Sequence, residues 1–442
     1  MRIPVLALSV VCAASVLEAQ ERPVALVGAN VVDVVNQRVL PDHDVILHHG
    51  RIAEVYRTGT RGRLAPSSTV NLRGKYIIPG LIDAHVHVAT DPAGRDANAT
   101  DQLARAFRGG ITSVRDMAGD AMALRDLAVR SAQPGSAMPR LYYGALFAGP
   151  SFFTDPRTKS AARGGRPGEV AWLRAVDSST ELARAVREAK ALGVTGVKVY
   201  ADLGPAEIQR LAAEAHRQGL KVWSHATVYP ARPSDAVNAG VDVLSHAILM
   251  FWEGASEVPH QYHQRAATAL YESLPVNGPT IDSLLATMKR RGTVLDATLF
   301  ISARLESAPR GAAGMQDPKR AVQWMYDLTA RANELGIPVA AGTDGMLPGG
   351  ETELPNLHRE LELLVQRARF TPLQALRAAT LYSARAIGVD STLGSVTPGK
   401  HADLVILGAD PTSDIRNTRK IEAVIREGVI HRLPRNVASR GM

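Results

Sequence analysis

The chain has 442 residues, 45% of them hydrophobic and 21% charged, and a formal net charge of +8. These proportions exclude a disordered or collagen-like chain. The length suits a barrel of about 250 residues with a smaller companion domain better than one ordinary core. Lys and Arg are spread along the chain with no basic run, so the surplus charge reads as solvated surface, and no nucleic-acid partner is expected.

In chain order, residues 1–19 read as an export signal. Arg2 supplies a positive start, Ile3–Val16 form an apolar stretch, and Leu17-Glu18-Ala19 ends in a small residue. The stretch falls short of the ~20 residues that span a bilayer. Cleavage after Ala19 and a periplasmic or secreted location are expected. The sole cysteine, Cys12, lies inside this segment, so the mature chain would hold neither disulfides nor thiolate metal sites. No later segment is long and apolar enough to span a membrane.

Residues 20–76 show short strand-like runs punctuated by Gly28, Pro41, Asp42, Gly50 and Gly74. A strand-rich stretch returns over 389–442. Together the two ends predict a small composite β-sandwich domain. Between them, residues 77–388 alternate strands with amphipathic helices, the pattern of a parallel α/β sheet. Eight strands are predicted: Tyr76–Asp83, Ile111–Arg115, Arg140–Leu146, Thr195–Tyr200, Leu220–His225, Val241–His246, Thr293–Thr298 and Ile337–Gly342. A helix over Thr371–Ala386 opens with Thr371 as its cap and Pro372 at its first position. Eight strands with helical crossovers favour a closed (β/α)8 TIM barrel over an open doubly wound sheet.

Metal-ligating residue types gather at the ends of these strands. The first runs into Asp83-Ala84-His85-Val86-His87. Residues two apart in an extended chain share a face, so His85 and His87 point the same way. Such a pair alone is weak evidence for a metal. Lys198 lies within the apolar strand GVKVY, where an unpaired ammonium is expensive; it needs a buried carboxylate partner or a chemical role. His225 closes LKVWSH, His246 closes VDVLSH, and Asp344 follows IPVAAGT. These are C-terminal strand ends, where such barrels build their active sites.

With those residues in view, the chain resembles the amidohydrolase superfamily, and within it the exported imidazolonepropionase-like and Xaa-Pro dipeptidase-like amidohydrolases. The resemblance covers nearly the whole mature chain: IIPGLIDAHVH, GITSVRDMAG, GVKVYAD, SHATVYP, GVDVLSHA, AAGTD and LGSVTPGKHADLVIL. It implies that His85, His87 and Asp344 hold the more buried of two divalent cations. It further implies that His225 and His246 hold the second, with carboxylated Lys198 bridging both. Zinc is the expected ion, because this nitrogen and oxygen donor set suits it. The implied mechanism uses a metal-bridging hydroxide, with Asp344 as general acid and base. Imidazolonepropionase proper works with one metal and lacks the bridging lysine, so the resemblance does not extend to its activity.

Around this constellation, Tyr229 and Tyr200 are candidate substrate-binding residues, against the alternative that they pack the loops. Asp83 is expected to orient a ligand imidazole, and Arg115 to make a structural salt bridge with Asp116 or Asp83. Long connections are predicted at Phe147–Val170, Leu249–Thr280, Phe300–Arg320 and Gly345–Asn356, all rimming the barrel mouth. The first carries Arg157, Lys159, Arg163 and Arg166, read as solvated loop charge. His260 and His263 are read as ordinary loop histidines. The expected activity is hydrolysis of a C–N amide bond in a dipeptide (Xaa-Pro-like) or N-acyl amino acid. Alternatives are a cyclic amide, lactone or phosphotriester hydrolase on the same centre, or a catalytically silent exported binding protein. The expected partner is a small-molecule amide or peptide, and assembly as a homo-oligomer is expected.

Overall fold

The computed structural model describes residues 22–60, 62–90, 97–266, 268–345 and 354–433. The expected export signal with Cys12, and most of the connection Gly345–Asn356, lie outside the described residues. Five strands open the chain: β1 (Val24–Asp33), β2 (Arg38–His48), β3 (Arg51–Arg57), β4 (Ser68–Asn71) and β5 (Tyr76–Pro79). Then come β6 (Leu81–Val86), β7 (Ile111–Asp116), β8 (Arg140–Ala148), β9 (Leu173–Ala175), β10 (Gly196–Val199), β11 (Lys221–His225), β12 (Val243–Ser245), β13 (Val294–Asp296) and β14 (Val339–Ala340). The chain returns through β15 (Leu404–Leu407), β16 (Ile421–Arg426) and β17 (Val429–Arg432).

Strands from both ends form one sheet in the order β17-β16-β15-β5-β1-β2-β3, with β4 also on β1. Its inward residues, among them Leu26, Val45, Ile52, Ile77, Leu404 and Ile425, enclose a core of their own. The predicted composite origin is therefore visible: β5 from the N-terminal part pairs antiparallel with β15 from the C-terminal part.

The second sheet runs β6-β7-β8-β10-β11-β12-β13-β14 with every pairing parallel. Its two ends meet: Ala84 N donates to Ala341 O at 3.0 Å and Asp344 N to His85 O at 2.8 Å. That seam makes the sheet a barrel and removes the open-sheet alternative. Helices cover the outer faces, so strands such as β6 and β7 are buried along their whole length. Inside, Trp223 packs with Ala84, Met117, Val243, Val294 and Ala340. The Arg115 guanidinium lies 4.7 Å over the Trp223 ring, flooring the cavity above.

One predicted strand is divided. Tyr76–Asp83 was expected to enter the barrel whole, but Tyr76–Pro79 belongs to the terminal sheet and the barrel strand begins at Leu81. Gly80 marks the break: its N–H reaches Asp403 O in the terminal sheet, and the next N–H reaches Gly110 O in the barrel. A Cβ on Gly80 would lie 2.1 Å from Thr112 Oγ1, so only glycine fits. The two sheets are also tied by Arg140 on β8, which meets Asp403 at 2.8 Å and Glu427 at 2.7 Å. The predicted helix after Thr371 begins with Thr371 and Gln374 capping each other, and widens to a π-turn over Ala378–Tyr382. No helix among the described residues is long and apolar enough to cross a membrane.

Candidate metal centre

His85, His87, Lys198, His225, His246 and Asp344 all line one cavity of about 270 Å³ at the C-terminal end of the barrel strands. His85 is on β6 with His87 just beyond it, Lys198 is on β10, His225 ends β11, and His246 directly follows β12. Asp344 sits four residues past the end of β14. The rings interlock, with centroids 5.5 Å apart for His85 and His87, 4.8 Å for His85 and His246, and 4.7 Å for His225 and His246. Asp344 Oδ1 is 3.2 Å from His87 Nε2 and 3.6 Å from His85 Nε2. One donor atom from each of these three residues lies within 4.8 Å of the others, the arrangement of a possible metal site.

Three loop starts share a local conformation. His246, Thr298 and Asp344, each just past a barrel strand, have φ values of 70°, 51° and 52°. A side chain in this left-handed region costs about 1–3 kcal/mol. These turns bring His246 and Asp344 to the cavity, while Thr298 stays behind His246. The backbone holds the turns: His246 N donates to Asp296 O at 2.9 Å, and Asp344 N to His85 O. Thr298 Oγ1 meets His246 Nδ1 at 2.9 Å and holds that ring.

His85 is oriented by Asp296, a residue to which sequence reasoning gave no role. Asp296 Oδ2 accepts from His85 Nδ1 at 2.7 Å, from Ser245 Oγ at 2.9 Å and from Arg115 Nη2 at 3.0 Å. Burial alone would raise the Asp296 carboxyl, but the His85 ring that donates to it and the Arg115 guanidinium outweigh burial and hold the carboxyl below its usual range. As an ionised acceptor it keeps the proton on His85 Nδ1, which leaves the Nε2 lone pair facing the cavity. The signal was present in the strand VLDAT, where a carboxylate interrupts an apolar run. Asp83 does not orient an imidazole, contrary to expectation. It accepts from the His85 backbone N–H at 3.2 Å and from Thr343 N and Oγ1 at 3.0 and 2.7 Å, so it pins the β6–β14 seam. Arg115 is structural as expected, but its partner is Asp296 rather than Asp116 or Asp83. Gly342 allows this packing, since a Cβ there would sit 2.5 Å from Asp296 Oδ1 and 2.6 Å from His85 Cβ.

Two buried polar atoms in the cavity have no hydrogen-bond partner among the described residues: Lys198 Nζ and His225 Nδ1. Leaving such groups unmade costs free energy unless a ligand completes them. Burial pushes the Lys198 ammonium down to about 7. It also lowers the His225 and His246 imidazoles, the latter to about 3. Neutral imidazoles and a readily neutral amine beside a carboxylate make a donor set suited to cations, so these residues fit a bound metal.

The two candidate tyrosines part ways. Tyr200 lines the cavity, its ring 4.0 Å from His225 and 4.6 Å from Phe152. Tyr229 does not line it: the backbone turns there at φ 51°, and the buried ring packs edge-on against Trp252 and Tyr262. His263 lies 3.7 Å from Asp155 and stacks near Phe152, away from the cluster. The rest of the wall includes Met117, Leu146, Phe152, Leu173 and Arg157. Of the predicted long connections, Phe147–Val170 supplies Phe152, Arg157, Thr158 and Ala161 to this wall from its short helical turns Pro150–Thr154 and Pro156–Ala161, whereas Leu249–Thr280 and Phe300–Arg320 supply none of its lining residues.

Comparison with known proteins follows the same lines. Residues 76–431 match the model of the amidohydrolase family. Ochratoxinase from Aspergillus niger is 26% identical over 393 residues, covering 79% of this chain and 73% of that protein. Imidazolonepropionase from Cereibacter sphaeroides is 26% identical over 419 residues, covering 85% and 91%. The crystal structure of A. niger ochratoxinase superposes with a TM-score of 0.73 at 21% identity, covering 94% of this chain and 96% of that one. A Xaa-Pro dipeptidase with bound methionine superposes at 0.69 and 20% identity, covering 93% and 100%.

Proposed function

We propose that this chain, which belongs to the amidohydrolase family of metal-dependent hydrolases, cleaves a C–N amide bond in a dipeptide, Xaa-Pro-like, or an N-acyl amino acid. One observation carries the proposal: six side chains from five strand ends converge on a single small cavity. His85, His87 and Asp344 would hold one divalent cation and His225 and His246 a second, with Lys198 between them. Zinc is the expected ion. When bound, a pair of such cations polarises a carbonyl and makes water acidic enough to attack it near neutral pH.

The chain's own residues do the rest. An amine pushed down to about 7 is partly neutral in ordinary buffer, the form that takes up carbon dioxide. Carboxylation would turn Lys198 into an anionic oxygen donor and give Nζ the partners it lacks. Burial would raise the Asp344 carboxyl, but His85 and His87 hold it well below the usual carboxylate range, so it is ionised and able to accept a proton. From the cavity rim it would take the proton of the attacking water and return it to the leaving nitrogen. Asp296 keeps His85 in the tautomer the centre needs. A volume of about 270 Å³ with a largely apolar wall suits a small substrate. Export by residues 1–19 is part of the same proposal.

The test is metal-dependent turnover by the purified chain on L-alanyl dipeptides and N-acetyl amino acids. Activity should vanish with chelator and return with Zn²⁺. Turnover confined to lactones or phosphotriesters, or amide turnover indifferent to chelator, would overturn the reading. A second expectation concerns Asp296→Asn. It retains shape but removes the charge facing His85 and Arg115, so metal affinity should fall about 10–100-fold in a competitive chelator titration. An unchanged affinity would mean that Asp296 does not set the His85 tautomer.

A further inference from the structure

The connection after β8 carries four cations, and the structure separates them. Arg163 reaches Asp120 at 3.1 Å, and Arg166 pairs with Glu169 at 2.7 Å on the surface. Lys159 does not line the cavity, but Arg157 does. Its placement is built rather than incidental. Asp155 caps the helix Pro156–Ala161, and its Oδ1 accepts from Arg157 N at 2.9 Å and from Arg157 Nε at 3.0 Å. Its Oδ2 accepts from Arg157 Nη2 at 2.8 Å. The carboxylate that starts the helix therefore also clamps the guanidinium along its Nε–Nη2 edge.

A guanidinium has a second edge able to take a carboxylate, through Nη1 and Nη2. Among the described residues, Asp155 is the only acidic partner of Arg157. Beside it stands Tyr200, whose ring packs on His225. A phenol is neutral in ordinary buffer, so the Tyr200 O–H is able to donate. A cationic fork and a phenol O–H thus sit on the same wall, beyond the imidazole of His225. In a peptide cleaved at the ligand cluster, the carboxylate on the leaving amino acid lies one residue from the scissile nitrogen, within the span of so small a cavity.

We infer that Arg157, clamped by Asp155 and assisted by Tyr200, binds the free α-carboxylate of the leaving amino acid. The substrate class is then restricted to dipeptides and N-acyl amino acids with an unblocked C-terminus. This rests on the amide-hydrolase reading above. Pre-ordering by Asp155 removes the rotamer entropy that a free arginine would lose on binding. A neutral amide in place of the carboxylate loses the charge-assisted pair.

The experiment compares the fastest-cleaved member of the dipeptide and N-acetyl amino acid panel with its C-terminal carboxamide, using the metal-loaded enzyme. The free acid should be preferred by roughly tenfold or more in kcat/KM. In Arg157→Gln that preference should collapse toward equality, mainly through KM, and Arg157→Lys should recover part of it. The acid-to-carboxamide ratio is internal to each variant, so it does not depend on the fraction folded. A wild-type enzyme indifferent to the carboxylate, or variants in which the ratio is unchanged, would overturn the inference while leaving amide hydrolysis standing. Failure to cleave either form would bring down the proposed function, and this inference with it.

Discussion

Lys198→Ala is expected to lower kcat by on the order of 10³-fold, and to reduce bound metal from two ions per chain to one or fewer. The amine is buried in the barrel, and among the described residues Nζ has no hydrogen-bond partner. A side chain that merely filled space would be apolar, and one that merely balanced charge would be paired. Among the described residues no group is hydrogen-bonded to Lys198 Nζ, so its removal leaves none of them newly unpaired, and the metal-free chain should fold with little change in thermal midpoint. Loss of activity would then reflect the centre and not the fold. Metal content by elemental analysis and turnover on the same preparation provide the check. Full activity with two bound metals would remove Lys198 from the centre.

Asp344→Asn should cost about 10²–10⁴-fold in kcat, the range for loss of a positioned acid–base group. Asparagine keeps the shape but cannot take the proton. The loss should depend on the leaving group: a poor amine needs a proton to depart, whereas an activated phenyl ester does not. The amide should therefore suffer more than the ester at saturating metal. Equal losses on both would confine Asp344 to holding metal and water. Because neighbouring imidazoles keep this carboxyl ionised well below neutral pH, the wild-type rate should fall on the acid side as Asp344 or its histidine neighbours take up protons.

Much of this site is legible in the chain before it folds. His85 and His87 share a face because a strand alternates with period two. Lys198 is recognisable as a cation inside an apolar strand, and His225, His246 and Asp344 as polar residues placed where such runs stop. The composite terminal sheet is foreshadowed by strand-like runs at both ends. Such features depend on spacing within a few residues, and local spacing survives in any fold that keeps the strand.

The partners of those residues were not legible. Asp296 serves His85 from 211 positions away, and only the closed barrel brings the two within 2.7 Å. Asp83 looked the better candidate because it is near in sequence, yet in an extended strand its side chain turns to the seam with Thr343. Tyr229, four residues past His225, is the stronger candidate by pattern and Tyr200 the second; the turn at Tyr229 sends its ring into packing, and Tyr200 is the one on the cavity wall. Arg157 could not be told from Arg163 or Arg166 until the loop was placed, because loops carry no periodicity to fix a face. Strand residues thus inherit direction from the backbone repeat, whereas contacts across the barrel and from its loops depend on closure, register and turn conformation, which arise only once distant segments pack.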